Sequence, residues 1–256
     1  MKTVCITGGT AGIGKATALA FAKKGYAVAV CGRNEQKLQA AAEEFEHIGT
    51  PFLPFCADVS LPAQLESFAT AAMQVFGHID VWINNAGGSI PRKFFYEYSE
   101  TEFQSLIDAN NKSVFFGSAV AARYMKGRGG VILQTSSFTS MIPSCGAALY
   151  GATKAAIDNL TKTIAAELAP DAIRVLSVQP AYVLTEMAAT NIRNNMDALL
   201  AAIPLKRLAT PEDMAGVFVF LASDAASYMT GISIPVTGGK MAVQNPGFAY
   251  EHQGER

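Results

Sequence analysis

Tyr150 and Lys154 stand four residues apart in Tyr150-Gly151-Ala152-Thr153-Lys154, and Thr135-Ser136-Ser137 lies just upstream. On a helix this spacing puts a phenol and an ammonium on one face, and the face runs on through Ile157, Thr161, Ile164 and Leu168. A cation about 4 Å from a phenolate, at an effective dielectric near ~20, is worth roughly 4 kcal/mol, or roughly 3 pKa units. A phenol that ordinarily titrates near ~10 is then expected to move toward neutrality, where proton exchange is most effective. The same pair on a plain surface helix would do nothing. Its weight depends on the residues that accompany it.

Those residues sit in a regular alternation of strands and helices. Lys2 to Thr7 reads as a strand, Gly8-Gly9-Thr10-Ala11-Gly12-Ile13-Gly14 as a glycine-rich turn, and Lys15 to Lys24 as a helix. Glycines there admit positive φ and a close backbone approach, while the helix start offers free N–H groups to a phosphate. Gly8, Thr10, Gly12, Ile13 and Gly14 are therefore expected to contact a dinucleotide, although the glycine spacing is not G-x-G-x-x-G. The second strand, Tyr26 to Cys31, ends in Gly32-Arg33-Asn34. An acid at that position would grip a ribose diol, whereas Arg33 is a fork-shaped cation suited to a 2′-phosphate. NADP(H) is the expected cofactor, with NAD(H) as the second choice.

Asn34 is also placed to cap the helix that runs to Ile48. A third strand, Phe52 to Cys56, leads to Asp58 and Val59, and Asp58 can accept from an adenine amino group or cap the next helix. A fourth strand, Ile79 to Ile83, leads into Asn84-Asn85-Ala86-Gly87-Gly88, a loop suited to a cofactor crevice; Asn84 can equally pair with neighbouring strand ends. One helix is expected from about Thr101 to Lys126, with Phe103, Ile107, Asn110 and Val114 on one stripe and Asn111 turned about 100° away. A buried Asn110 must find polar partners. Strands follow at Val131 to Gln134, Ile173 to Val178 and Ile232 to Val236, and the sixth is expected to stop before Pro180. The pattern predicts an α/β fold, a doubly wound, Rossmann-like parallel sheet of seven strands with helices on both faces. It predicts one domain over 1–256, with 185–206 as a substrate lid and 245–256 as a tail that is frayed or docks on a neighbouring subunit.

Composition narrows the function. Among 256 residues, 20 Lys and Arg balance 21 Asp and Glu, so a net charge of -1 offers no general field for nucleic acid or an anionic membrane. The opening apolar run is too short for a signal core, and no run is long enough to span a bilayer, so a cytoplasmic location is expected. Cys5, Cys31, Cys56 and Cys145 read as small buried hydrophobes, and His47, His78 and His252 lack metal-ligand spacing. No metal is expected.

In this order Thr7-Gly8-x-x-x-Gly12-x-Gly14, Asp58, Asn85-Ala86-Gly87, Asn110, Ser137, Tyr150-x-x-x-Lys154 and Pro180 resemble the motifs of the short-chain dehydrogenase/reductase family, over Lys2 to about Val243. Ser137 lies thirteen residues before Tyr150. The resemblance implies that Tyr150 is the general acid for ketone reduction and the base for alcohol oxidation. Lys154 would lower its pKa and hold the nicotinamide ribose, Ser137 would bind the substrate oxygen, and Asn110 would anchor a water leading to solvent. It also implies nicotinamide contacts along Pro180 to Thr185, through Val183 and Thr185, and a homotetramer or homodimer with Gly238-Gly239 near an interface. Pro180-Ala181 departs from the family's Pro-Gly. Asn110-Asn111 departs from its Asn followed by an apolar residue, and the stripe favours Asn110.

The loops expected to wall the pocket, with Ile90, Pro91, Phe138, Met141, Ile142, Cys145, Tyr182 and Met187, are largely apolar. They suggest an apolar ketone or secondary alcohol of hydroxysteroid type. A 3-oxoacyl thioester or a polyol or sugar is the alternative, with Arg92, Lys93 or Arg193 on a carrier's phosphate. Enoyl reducers space Tyr and Lys more widely, epimerases are longer, and a non-catalytic dinucleotide sensor would have an eroded tetrad, whereas Asn110, Ser137, Tyr150 and Lys154 are all present.

Overall fold

In the computed structural model, which describes residues 1–251 apart from the side chain of Asn191, side chains alternate along each strand between two helical layers. Val4 and Ile6 of β1 (Thr3–Thr7) pack into one core and Cys5 into the other. The chain continues through α1 (Gly12–Lys23), β2 (Ala27–Gly32), α2 (Glu35–Ile48), β3 (Phe52–Cys56), α3 (Pro62–Phe76) and β4 (Val81–Asn84). On β4, Val81 and Ile83 join the first core while Trp82 joins the second. After α4 (Glu100–Ile107) and α5 (Ser113–Met125) come β5 (Gly130–Thr135), α6 (Ala148–Leu168), β6 (Ile173–Pro180), α7 (Ala189–Ala201), α8 (Pro211–Ala222), β7 (Ile232–Val236) and a short α9 (Phe248–Glu251).

The seven strands pair in parallel in the order β3-β2-β1-β4-β5-β6-β7. The order reverses between β1 and β4, so the turns leaving these two strands open a crevice at the C-terminal edge of the sheet. Pro54 and Pro235 lie on the outer strands β3 and β7, where a missing N–H costs least.

Several expectations are corrected. The helix foreseen from 101 to 126 is broken by a π-helical turn at Asp108–Lys112, where the Ser113 N–H donates to the Asp108 carbonyl. That extra residue turns Asn110 fully inward and leaves Phe103 exposed, so Leu106 and Val114 carry the apolar stripe. Asp58 does not cap α3: its Oδ1 accepts from the Ser60 N–H at 2.9 Å, and Leu61 is the cap residue, with Pro62 first in the helix. The sixth strand runs through Pro180, which pairs with Val236. Cys5 and Cys31 are buried, but Cys56, at the end of the outer strand β3, and Cys145, in the loop before α6, are exposed. In the tail, Tyr250 donates to the Pro204 carbonyl of its own chain at 2.8 Å; His252 and the rest of the tail lie outside the described residues.

Candidate active site

The turn leaving β1 packs against the loop leaving β4. Gly8 has φ 67°, and a Cβ on it would stand 2.9 Å from the Ala86 Cα. Asn85 ties the two together, its Nδ2 donating to the carbonyls of Thr7 and Gly8 at 3.2 and 3.1 Å. Thr10 Oγ1 lies 3.2 Å from the place a Cβ of Gly32 would occupy, and Gly12 stands similarly against Thr185 at 3.2 Å. Ala11, at the start of α1, makes no capping side-chain bond, and no acid sits in the first turn. The N–H groups of Gly12, Ile13 and Gly14 therefore point out of the helix toward the crevice. A cradle of N–H groups without side chains, at a positive helix end, fits a dinucleotide pyrophosphate.

At the β2 exit Arg33 is exposed, and Asn34 spends its Oδ1 on the Lys37 N–H at 2.8 Å. Burial pushes the Asp58 carboxyl up, but the Ser60 bonds and the Arg33 charge outweigh it and hold the group below its usual range. Val59 is half-buried, packed against the second core. Pro180 and Val183 are buried at the exit of β6, and Val183 bridges Ala209. A feature absent from the sequence expectations is the Lys37–Glu186 ion pair at 2.8 Å, which joins α2 to the segment after Thr185.

Asn84 takes the structural alternative. It is buried, accepts from Trp82 Nε1 at 2.8 Å, and donates to Ser118 and Gln134. Asn110 Oδ1 accepts from the Gly88 N–H at 2.8 Å, while its Nδ2 donates to the Gly88 carbonyl and Thr153 Oγ1 at 3.1 Å each. Asn111 turns away and donates to the Thr153 carbonyl. A Cβ on Gly87 would stand 2.9 Å from Asn110 Oδ1 and 3.7 Å from Lys154 Nζ, so this glycine keeps open the space between them.

Lys154 is buried, donates to the Thr135 carbonyl at 2.9 Å, and sits 5.7 Å from the centroid of the Tyr150 ring. Burial brings its ammonium down to about 8, with Asp158 opposing. Burial also raises the Tyr150 phenol above its ordinary value, and a hydrogen bond with Ser137 works against that. The expected depression of the phenol by Lys154 is thus not found in this arrangement: the ammonium is anchored to a strand-end carbonyl, and desolvation dominates. Ser137 Oγ is held by Thr139, whose N–H and hydroxyl donate to it at 3.3 and 2.9 Å.

Beneath the pair lies a carboxylate that sequence reasoning passed over. Asp158, one helical turn beyond Lys154, is buried and accepts from Ser177 and Ser233 at 2.8 and 3.0 Å and from Gln179 at 2.6 Å. Gln179 also donates to Ser140, which donates to the Ser137 carbonyl at 2.7 Å. The signal was available: an acid on the buried stripe of an otherwise amphipathic helix, four residues after the lysine.

Two hydroxyl donors beside a buried ammonium, at the mouth of a dinucleotide crevice, are suited to a carbonyl oxygen that gains negative charge and then a proton. Residues 8–240 match the family model described as enoyl-(acyl carrier protein) reductase. The chain belongs to the short-chain dehydrogenase/reductase family. As a short-chain dehydrogenase/reductase it is an oxidoreductase of hydroxyl and carbonyl groups that uses a nicotinamide dinucleotide. It is 39% identical to a 3α-hydroxysteroid dehydrogenase of Mediterraneibacter gnavus, over 93% of this chain and 96% of that one. It is 36% identical to the 3-oxoacyl-[acyl-carrier-protein] reductase FabG of Thermotoga maritima, over 93% and 97%. A 7α-hydroxysteroid dehydrogenase solved with NADH and 7-oxo glycochenodeoxycholic acid superposes with a TM-score of 0.89 at 31% identity, covering 93% of each chain. Among the described residues of this short-chain dehydrogenase/reductase no helix is long and apolar enough to cross a membrane, and no His, Cys, Asp and Glu cluster could hold a metal.

Proposed function

We propose that this chain interconverts an apolar ketone and a secondary alcohol of the hydroxysteroid kind, using NADP(H). The observation that carries the reading is the convergence of Tyr150, Ser137 and buried Lys154 beside Gly87 and Asn110. When bound, the dinucleotide supplies or accepts the hydride. Ser137 and Tyr150 orient the carbonyl oxygen by donating to it, and Tyr150 gives up its proton as charge builds there. Lys154 stabilises the phenolate left behind and binds the ribose hydroxyls, while Asn110 fixes the loop through which a water re-supplies the proton. The main-chain N–H groups of Gly12 to Gly14 hold the pyrophosphate, and Asp58 and Val59 the adenine. Asn85, Ala86 and Gly87 line the ribose, and Pro180, Val183 and Thr185 line the nicotinamide.

NADP(H) preference rests on Arg33, exposed after β2 and in no ion pair among the described residues, with Asp58 close enough to feel its charge. Segment 185–206 acts as the lid; its residues Ile192, Leu199 and Ile203 form a small core of their own with Leu208. The relatives support both a hydroxysteroid and a 3-oxoacyl substrate, and the exposed apolar side chains of Met141, Ile142 and Met187 favour the first. The four-residue Tyr150–Lys154 spacing supports carbonyl over enoyl reduction. An open groove of about 760 Å³ between α5 and α6 sets Phe115 and Phe116 beside Ala155 and Ala156, and large-into-small packing of two copies there suits a homodimer or homotetramer. The location proposed is the cytoplasm, where Cys56 and Cys145 stay reduced.

Initial rates with NADPH and NADH across a steroid ketone, a 3-oxoacyl thioester, a keto sugar and an aryl ketone test this reading. Fastest turnover of the steroid ketone with NADPH is expected, and silence across the panel would overturn it. Arg33→Asp should weaken NADPH use at least about 10-fold more than NADH use, since it trades a phosphate-binding cation for an anion; equal losses would remove Arg33 from the 2′-phosphate.

The Asp158 carboxylate makes a pH prediction. A negative charge one turn away disfavours loss of a proton from the Tyr150–Lys154 pair, so Asp158→Asn should move the alkaline limb of ketone reduction to lower pH. Lys154 feels that charge directly, so the limb is expected to move by about 1 pH unit. Asn keeps the serine bonds, and Gln179 can turn its amide to accept, which also occupies a Gln179 Oε1 that is buried without a partner. A full pH–kcat profile decides: an unmoved limb would make Asp158 a packing residue only.

A further inference from the structure

The chain leaving β7 doubles back at Gly238 and Gly239, with φ 63° and 86°, against the end of the proposed lid. A Cβ on these glycines would stand 2.9 Å from Ile203 Cγ2 and 2.8 Å from Pro204 Cγ, respectively, and the Lys240 N–H closes the turn on the Thr237 carbonyl at 3.2 Å. This turn carries Lys240 Nζ to 5.7 Å from the ring centroid of Phe138 and 5.4 Å from that of Tyr182. The two rings meet edge to face at 5.4 Å. Phe138 directly follows Ser137, and Tyr182 stands two residues after Pro180. A cation from the far end of the sequence is thus built into the wall beside the reacting groups.

The ammonium rests on ring faces, an attraction of about 0.5–2 kcal/mol, which leaves its three donors uncommitted. No described carboxylate pairs with it. Arg92, on the loop after β4, is the second cation of this wall. Among the described residues its guanidinium donates only to the Cys145 carbonyl, at 2.8 Å, and its charge reaches Tyr182, whose phenol burial raises and Arg92 lowers. The neighbouring Lys93, by contrast, is neutralised by Glu102 at 2.6 Å. Arg92 is exposed and Lys240 half-buried, so both charges stay solvated while they stand on an apolar wall, unpaired with any described carboxylate and open to meet an anion.

We propose that Lys240, together with Arg92, binds an anionic group of the substrate remote from the reacting carbon, so that the substrate is an amphipathic anion. Apolar walls favour a carboxylate on a rigid apolar skeleton; a phosphate on a thioester carrier is the other source of the same charge. This rests on the ketone-reductase reading above. It divides recognition in two: the skeleton is held by apolar area, and its direction by charge.

The test uses two matched pairs: a 3-oxocholanoate and its methyl ester, and acetoacetyl-CoA and the uncharged N-acetylcysteamine thioester. In the unaltered enzyme kcat/KM should favour the charged member of one pair, chiefly through KM, and increasingly as salt is lowered. Lys240→Gln should cut that charged-to-neutral ratio about 10-fold, Lys240→Arg should restore most of it, and Arg92→Gln should lower it further in the double variant. The pair that responds identifies carboxylate or phosphate. An unchanged ratio in Lys240→Gln would overturn the proposal. Should no ketone turn over, equilibrium binding of the cholanoate and its ester decides separately: a preference for the acid that Lys240→Gln abolishes upholds the anion site while the reductase reading falls, and no preference ends both.

Discussion

Tyr150→Phe is expected to lower turnover by about 10²–10⁴-fold while dinucleotide affinity stays within about threefold. Phenylalanine fills the same half-buried volume at the start of α6, so the helix, the Lys154 anchor on the Thr135 carbonyl and the glycine cradle all stay in place. What disappears is the hydroxyl that hydrogen-bonds with Ser137 and whose proton the carbonyl oxygen needs. The loss should fall on kcat and kcat/KM alike, because the interaction is completed in the transition state. Single-turnover rates in both directions, with cofactor fluorescence as the binding control, measure it. Turnover within about tenfold of the unaltered enzyme would mean that Ser137 or solvent delivers the proton.

Gly14→Ala is expected to weaken dinucleotide binding by more than about 100-fold and to lower the unfolding midpoint. An added Cβ would sit 2.1 Å from the Gly8 carbonyl oxygen and 2.5 Å from Asn85 Nδ2. The first is backbone, and the second is the group that ties the β1 and β4 exits, so neither can yield cheaply. Overpacking of this kind costs about 1–3 kcal/mol, or roughly 2–10 °C for a domain of this size. Forcing α1 away from the turn also carries its N–H groups out of line with the pyrophosphate. Gly25→Ala is the comparison: it has φ 79° but nothing within 4 Å, so it bears backbone strain alone and should leave binding intact. Equal behaviour of the two variants would remove the cradle from the account.

The parallel sheet was legible because its strands are apolar runs of five or so residues separated by helical stripes, a contrast of period that needs no tertiary information. Tyr150 and Lys154 were legible for the same reason, since a four-residue spacing on a helix is itself a distance. Asn110 was found by that rule although the helix around it breaks, because the π turn at Asp108–Lys112 changes which neighbours share the stripe without removing Asn110 from the interior. The charge state of Tyr150 was not legible. Spacing said that an ammonium was near, but not that the Thr135 carbonyl held it or that burial would dominate both groups. Lys240 escaped notice altogether, because ninety residues of chain part it from Tyr150 and only the sheet order brings β7 round to β6. Exposure of Cys56 and Cys145 was missed because composition reports a residue's taste for burial, while the end of an outer strand and the loop before α6 place these two outside.

The groups proposed to hold the chemistry are fastened largely to main chain. Lys154 is anchored on the carbonyl of Thr135, Asn110 on the N–H and carbonyl of Gly88, Asn111 on the carbonyl of Thr153, and Ser140 on that of Ser137. A carbonyl is present whatever residue bears it, so drift at positions 135, 88 or 153 cannot erase these anchors so long as the backbone keeps its path. The walls carry no such duty: Met141, Ile142 and Met187 extend into solvent from loops and can be exchanged without disturbing the tetrad. Substitutions at the wall residues therefore bear on what is accepted more than on how it reacts, so the walls are the place to retarget this scaffold.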